Sequence, residues 1–207
     1  MAGTTASCFG SSECMFPVGK FGVGTTIMGN FYANLWSTSS DWNANDCAKD
    51  GLTAFIAGKG MTTGVNLVSE IGGMKFSPGT YTHASAISIG GANPIVTLDG
   101  GGDENAVFIF IAGSSLTTSS FSQVVLINGA TAENVFWVVG STLAVGKGSI
   151  IFGTFLVATT VAMGENSKIW GRVIAQTTMA CNGCIGVEIP MITSTECREA
   201  TSGPSLL

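Results

Sequence analysis

Charge is scarce in this 207-residue chain: Asp, Glu, Lys and Arg make up 10% of it, against 45% hydrophobic residues. Histidine occurs once, at His83, and arginine twice, at Arg172 and Arg198. General acid–base catalysis, metal ligation and phosphate recognition lean on those side chains, so no enzyme, cofactor or metal site is expected. The net charge is −5 and the basic residues are dispersed singly, which leaves no basic stripe to follow a phosphate backbone and excludes nucleic acid as a partner. Long apolar runs are missing too. The stretch from Ala106 to Ala112 is far short of the roughly 20 residues a spanning helix needs, so no membrane partner is expected.

Low charge combined with high hydrophobicity is the reverse of a disordered composition, so the chain folds, and its length suits one domain. Gly, Thr and Ser are abundant, at about a third of all positions. Six cysteines (Cys8, Cys14, Cys47, Cys181, Cys184, Cys197) form an even set beside loop-forming residues, which predicts two or three disulfides and an oxidising compartment. The start, Met1-Ala2-Gly3-Thr4-Thr5, has neither the basic nor the apolar region of a signal peptide. Either a leader has been removed or the protein is intracellular; with the cysteine count, a secreted, extracellular protein is the expectation.

Residues 1 to 40 read as an irregular cap or first coil, with a short strand around Thr25-Thr26-Ile27-Met28. From Asp41 to Gly60 the spacing predicts a helix, with Ala48, Leu52, Phe55 and Ile56 on one face and Gly51 as a weak point. From 70 to 190 the chain reads as short strands separated by Gly, Asn and Ser, and 191 to 207 as a tail. The strands repeat: Ile151 to Gly164 lies 18 residues before Ile169 to Asn182, and Phe136 to Gly146 fits the same frame. A period near 18, built of strand-length pieces and small-residue corners, predicts a β-solenoid whose coils are stable only when stacked. The dipeptides Asn128-Gly129 and Asn182-Gly183, and the run Gly100 to Glu104, are then corners.

One strand occurs in five versions: Ser85–Ile89, Ser114–Thr118, Ser141–Val145, Thr159–Met163 and Thr177–Cys181. Because side chains alternate between faces, the third and fifth members (Ile87 and Ile89, Leu116, Leu143 and Val145, Val161 and Met163, Met179 and Cys181) point inward as apolar ladders. The second and fourth point outward in two columns: Ala86, Ser115, Thr142, Thr160, Thr178, and Ser88, Thr117, Ala144, Ala162, Ala180. These ten positions carry no charge and no long side chain, whereas Gln123, Lys168 and Arg172 lie at or near exposed positions of the next strand. A solvent-facing strand built only of methyls and hydroxyls is the most informative feature of the sequence.

Several stretches, in order, resemble the microbial ice-binding (antifreeze) proteins: Phe76 to Tyr81, Ala106 to Gly113, Asn134 to Gly140, Gly146 to Ser149 and Gly171 to Thr177. The resemblance is strong from about Glu70 to Pro190, weaker over 15 to 69, and absent at both ends. It implies a mainly β, right-handed β-solenoid (β-helix) of roughly triangular cross-section with one α-helix packed alongside. It also implies an ice-binding site on one flat face, where the family's outward positions fall on Ser88, Thr117 and Ala180 of the second column. The chain departs from the family in a shorter N-terminal region and helix, and in one extra residue near Ser119-Ser120. The expected protein is a monomeric, non-catalytic ice binder that inhibits ice growth and recrystallisation through the ten column residues, with an ice crystal as its partner.

Cys181-Asn182-Gly183-Cys184 has the spacing of a metal or redox pair, but no second pair and no nearby histidine accompany it, so a disulfide or packed thiol is expected. His83, beside Tyr81, reads as a partly exposed structural residue. A carbohydrate-binding β-helix would gather acids and aromatics along a groove, whereas here the acids are dispersed and Trp137 and Trp170 read as mostly buried. An adhesin-like structural solenoid would use the same outward face.

Overall fold

The computed structural model describes the backbone of residues 43–184 and 186–188, and the side chains of residues 51–184. The predicted strand at Thr25-Thr26, the cap, the tail and the side chains of Cys8, Cys14, Cys47, Ala48 and Cys197 lie outside them.

After the helix α1 (Asn43–Lys59), the chain winds as successive coils of up to three strand segments. The first coil holds β1 (Val65–Asn66) and β2 (Lys75–Phe76), and the second β3 (Gly79–His83), β4 (Ile87–Ile89) and β5 (Ile95–Asp99). The third holds β6 (Phe108–Ala112), β7 (Leu116–Thr118) and β8 (Gln123–Ile127). The fourth opens with β9 (Val135–Val139) and β10 (Leu143–Val145) and runs into β11 (Ile150–Val157), which continues into the fifth. The rest is β12 (Thr160–Met163), β13 (Lys168–Ala175), β14 (Thr178–Cys181) and β15 (Gly186–Glu188). Each strand pairs in parallel with its counterpart one coil away, so the fold is a β-solenoid with three faces.

The period of 18 holds where β11 meets β13, Phe155 pairing with Val173. Earlier coils are longer: Phe110 pairs with Trp137, 27 residues on, and Tyr81 with Phe110, 29 residues on. The difference lies at one corner. Coils two and three turn there through the segments 100–107 and 128–134. In β11 and β13 the same corner is a single glycine inside a continuous strand, Gly153 at φ 123° and Gly171 at φ 142°. Ile150 pairs with Gln123 on one face while Thr154 pairs with Phe136 on another, so one strand serves two faces.

The interior is apolar and closely stacked. Tyr81, Phe110, Trp137 and Phe155 occupy one register, with ring centroids 5.2, 4.3 and 5.8 Å apart in turn and nearly parallel planes. Trp137 is fully buried and donates its indole N–H to the Phe152 carbonyl at 3.0 Å, leaving no orphaned donor. Trp170, expected to be mostly buried, is instead half-buried on the outside of the third face, stacked on Phe152 with the Lys168 ammonium 3.9 Å from its ring centroid. Its place in the strand alternation sets this, since its neighbours Ile169 and Gly171 take the inward positions.

The helix sits against β9 and β11, but of the face its hydrophobic spacing suggests, Phe55 makes the contact and Leu52 and Ile56 do not. Gly51, Phe55 and Gly58 turn inward, with Phe55 packed on the buried trio Ile111, Val138 and Leu156. Leu52 and Ile56 point outward, 42% and 60% exposed. Closeness of approach is the reason: a Cβ on Gly58 would lie 2.6 Å from Val138 Cγ2, and one on Gly51 2.7 Å from Ile174 Cγ2. The glycine that lowers helix propensity is thus a contact residue. Gly58→Leu is expected to destabilise the protein by about 1–3 kcal/mol through overpacking, despite leucine's better helix propensity. A melting temperature equal to or above that of the unchanged chain would contradict this placement.

Candidate functional site

The second face is a five-stranded parallel sheet, β4, β7, β10, β12 and β14 in that spatial order, so coils stack in sequence order across it. Pairing runs Ser88 to Thr117, Thr117 to Ala144, Ala144 to Ala162 and Ala162 to Ala180. The second predicted column is therefore one unbroken register row. In the first column, Thr160 pairs with Thr178. Hydrogen bonds carry the same register back through Ser115 and Thr142, whose carbonyls accept from the N–H groups of Ile87 (2.9 Å) and Leu116 (3.0 Å). One residue further toward the corner, a ladder links Ser85, Ser114, Ser141, Thr159 and Thr177 through bonds of 2.9 to 3.1 Å.

All ten column residues face outward. Thr117, Thr178 and Ala180 are exposed, and Ala86, Ser88, Ser115, Thr142, Ala144, Thr160 and Ala162 are half-buried among their neighbours. Beneath them Ile87, Ile89, Leu116, Leu143, Val145, Val161 and Met163 are fully buried, so the sheet rests on a solid core. Strands about 4.8 Å apart, with outward neighbours about 6.6 Å apart along each strand, make the outer surface a regular grid. β-Branched Thr has few χ1 options, which stiffens its rows.

The corner beside this sheet is fixed by hydroxyls that sequence reasoning missed. Ser122, Ser149 and Ser167, one per coil, are completely buried. Ser149 Oγ donates to the Ser119 carbonyl (2.8 Å) and accepts from the Ser122 N–H (3.1 Å), while Ser122 Oγ donates to the Ile89 carbonyl (2.8 Å). Thr118, at an inward position, accepts from the Gly146 N–H at 2.8 Å. The signal was present: each of these serines stands immediately before a strand of the third face. Phe121 also stands at this corner, 64% exposed and at φ 62°, with its ring against Gly148.

The charge-free character of the sheet has an end. Glu70, in the first coil, bridges in parallel to Ser88 and so adds a carboxylate to the second column. Burial raises the Glu70 pKa, but hydrogen bonds from Ser88 and from the backbone N–H groups of Gly72 and Gly90 outweigh it and hold the carboxyl below its usual range. Glu70 is thus ionised at neutral pH.

Elsewhere, Cys181 and Cys184 form a disulfide, in line with the expectation for that pair. His83 is half-buried with Nδ1 2.8 Å from the Leu67 carbonyl, a structural contact. Among the described residues no group of three or more His, Cys, Asp or Glu is arranged to hold a metal ion, and no helix is long and apolar enough to cross a membrane.

A family profile described as Ice-binding-like matches residues 1–184. An ice-binding protein from Nostoc sp. (strain HG1) is 37% identical over 119 residues, 57% of this chain and 43% of the relative, so the chain spans less than half of that protein's length. One from Typhula ishikariensis is 27% identical over 158 residues, 74% of this chain and 63% of the relative. Among solved structures, the ice-binding protein of the Antarctic ascomycete Antarctomyces psychrotrophicus is 30% identical with a TM-score of 0.68, covering 73% of each chain. An ice-binding protein from an Arctic yeast is 26% identical with a TM-score of 0.70, covering 81% of this chain and 72% of the other.

Proposed function

Since the chain belongs to the ice-binding-like family, matched over residues 1–184, we propose that it adsorbs to ice crystals through the β4–β7–β10–β12–β14 face and so inhibits ice growth and recrystallisation. The observation that carries this reading is the pair of outward columns held in register over five coils without a charged side chain. Ice differs from liquid water only in order, so affinity must come from a large stiff surface that arranges its own hydration. Methyl groups cage water and hydroxyls anchor the cage. Rows fixed by parallel ladders and restricted rotamers lose little entropy on contact. Alanine keeps the plane flat where a Lys or Glu would rise above it and hold water in another arrangement.

The ten residues Ala86, Ser88, Ser115, Thr117, Thr142, Ala144, Thr160, Ala162, Thr178 and Ala180 form the contact in this reading. The protein acts as a secreted, non-catalytic monomer. The Cys181–Cys184 disulfide supports an oxidising compartment. The carbohydrate-binding and adhesin-like alternatives find no support among the relatives compared. Partition into slowly growing ice tests the proposal: the protein is expected to be enriched in the solid over the remaining liquid, and exclusion into the liquid with ordinary solutes would overturn it.

A further inference from the structure

Among the described residues Glu70 ends the second column, and its carboxylate is held in a site built for it. Oε1 accepts from the N–H groups of Gly72 (2.8 Å) and Gly90 (2.7 Å), and Oε2 accepts from the Ser88 hydroxyl at 2.7 Å. A Cβ on Gly72 would lie 2.9 Å from Oε1, and one on Gly90 3.1 Å from Oε2, so the carboxylate occupies space that side chains at those positions would fill. Among the described residues, no strand pairs beyond the first coil on this face. Of the six residues in the row from Glu70 to Ala180, Glu70 is the only charged one, and Ser88 alone spends its hydroxyl on a neighbouring side chain.

We propose that the Glu70–Ser88 pair is the edge of the ice-binding face, setting its length by turning the water above the first coil away from an ice-like arrangement. This rests on the assignment of ice adsorption to the β4–β14 sheet. A carboxylate is acceptor-only and orients every water it touches through its hydrogens, whereas a hydroxyl both donates and accepts. Water over Glu70 therefore lacks the mixed donor and acceptor pattern that the Thr and Ser rows offer. The same pair fixes the Ser88 rotamer, so that its hydroxyl points along the sheet rather than into the overlying water.

The test compares hysteresis at equal concentrations of folded protein for the unchanged chain, Glu70→Gln, Glu70→Thr and Thr160→Tyr, with melting curves for each. Glu70→Gln keeps an amide oxygen for the Gly72 and Gly90 N–H groups while removing the charge, and Glu70→Thr adds a sixth methyl-and-hydroxyl row. Both are expected to raise hysteresis by roughly 1.2-fold, Glu70→Gln by removing the charge and Glu70→Thr by lengthening the organised array from five strands to six, while Thr160→Tyr abolishes it. Should Glu70→Thr fold poorly, Glu70→Gln decides. Unchanged or lower hysteresis in Glu70→Gln, with Thr160→Tyr inactive, would overturn the edge role and leave the face assignment standing. Full activity in Thr160→Tyr would overturn the face assignment and the edge role with it.

Discussion

Tyrosine at Ala162 or Thr160 is expected to reduce thermal hysteresis to about a tenth or less of the unchanged chain's value, because a bulky ring at the centre of a flat array keeps the neighbouring side chains off the crystal as well. Ala162 stands mid-row between Ala144 and Ala180, and Thr160 beside Thr178 in the parallel row. A phenol ring there would rise several ångströms from a surface whose other side chains are no longer than threonine, holding the neighbouring rows away from the crystal. Both positions are only half-buried and point away from the core, and tyrosine has good strand propensity. The melting transition should accordingly stay within about 0.5 kcal/mol of the original. Retention of full activity in both variants with unchanged melting would show that this face does not meet ice.

The largest effect on stability is expected at Gly171. Its φ of 142° lies where L side chains are rarely found, and a Cβ there would lie 2.1 Å from the Gly153 carbonyl oxygen one coil away. Gly171→Val combines backbone strain with a clash against a carbonyl fixed by strand pairing, together about 3 kcal/mol or more. For a protein of this size that is a fall in melting temperature of roughly 10 °C. Gly101→Asn is the control: its φ is 65°, a Cβ meets nothing within 4 Å, and asparagine tolerates that conformation, so little change is expected. Gly171→Val melting within a degree or two of the unchanged chain would contradict the sharp corner inside β13.

What was legible in the sequence follows from periodicity. The two outward columns could be read because alternation by two gives each strand one buried and one open side, and the apolar third and fifth residues fix which is which. The 18-residue repeat gave the stacking for the last coils. It failed for the earlier ones because a corner can be a loop of seven or eight residues or one glycine, and Gly153 and Gly171 look like ordinary strand residues until their φ is known. The helix could be placed, but of its contact face only Phe55. Hydrophobic spacing favoured Leu52 and Ile56, whereas close packing against Val138 and Ile174 selects residues without a side chain. Glu70 escaped notice because its segment makes a single bridge rather than a strand, and because its carboxylate matters only through Gly72, Ser88 and Gly90, which local patterning does not connect.

The most direct test is the growth of a single ice crystal held just below its melting point in a solution of the protein. The account predicts a gap between melting and freezing temperatures, with the crystal faceted while growth is arrested. Round, unshaped growth with no gap at high protein concentration would contradict adsorption to ice, and leave the solenoid with a flat face whose partner is something other than ice.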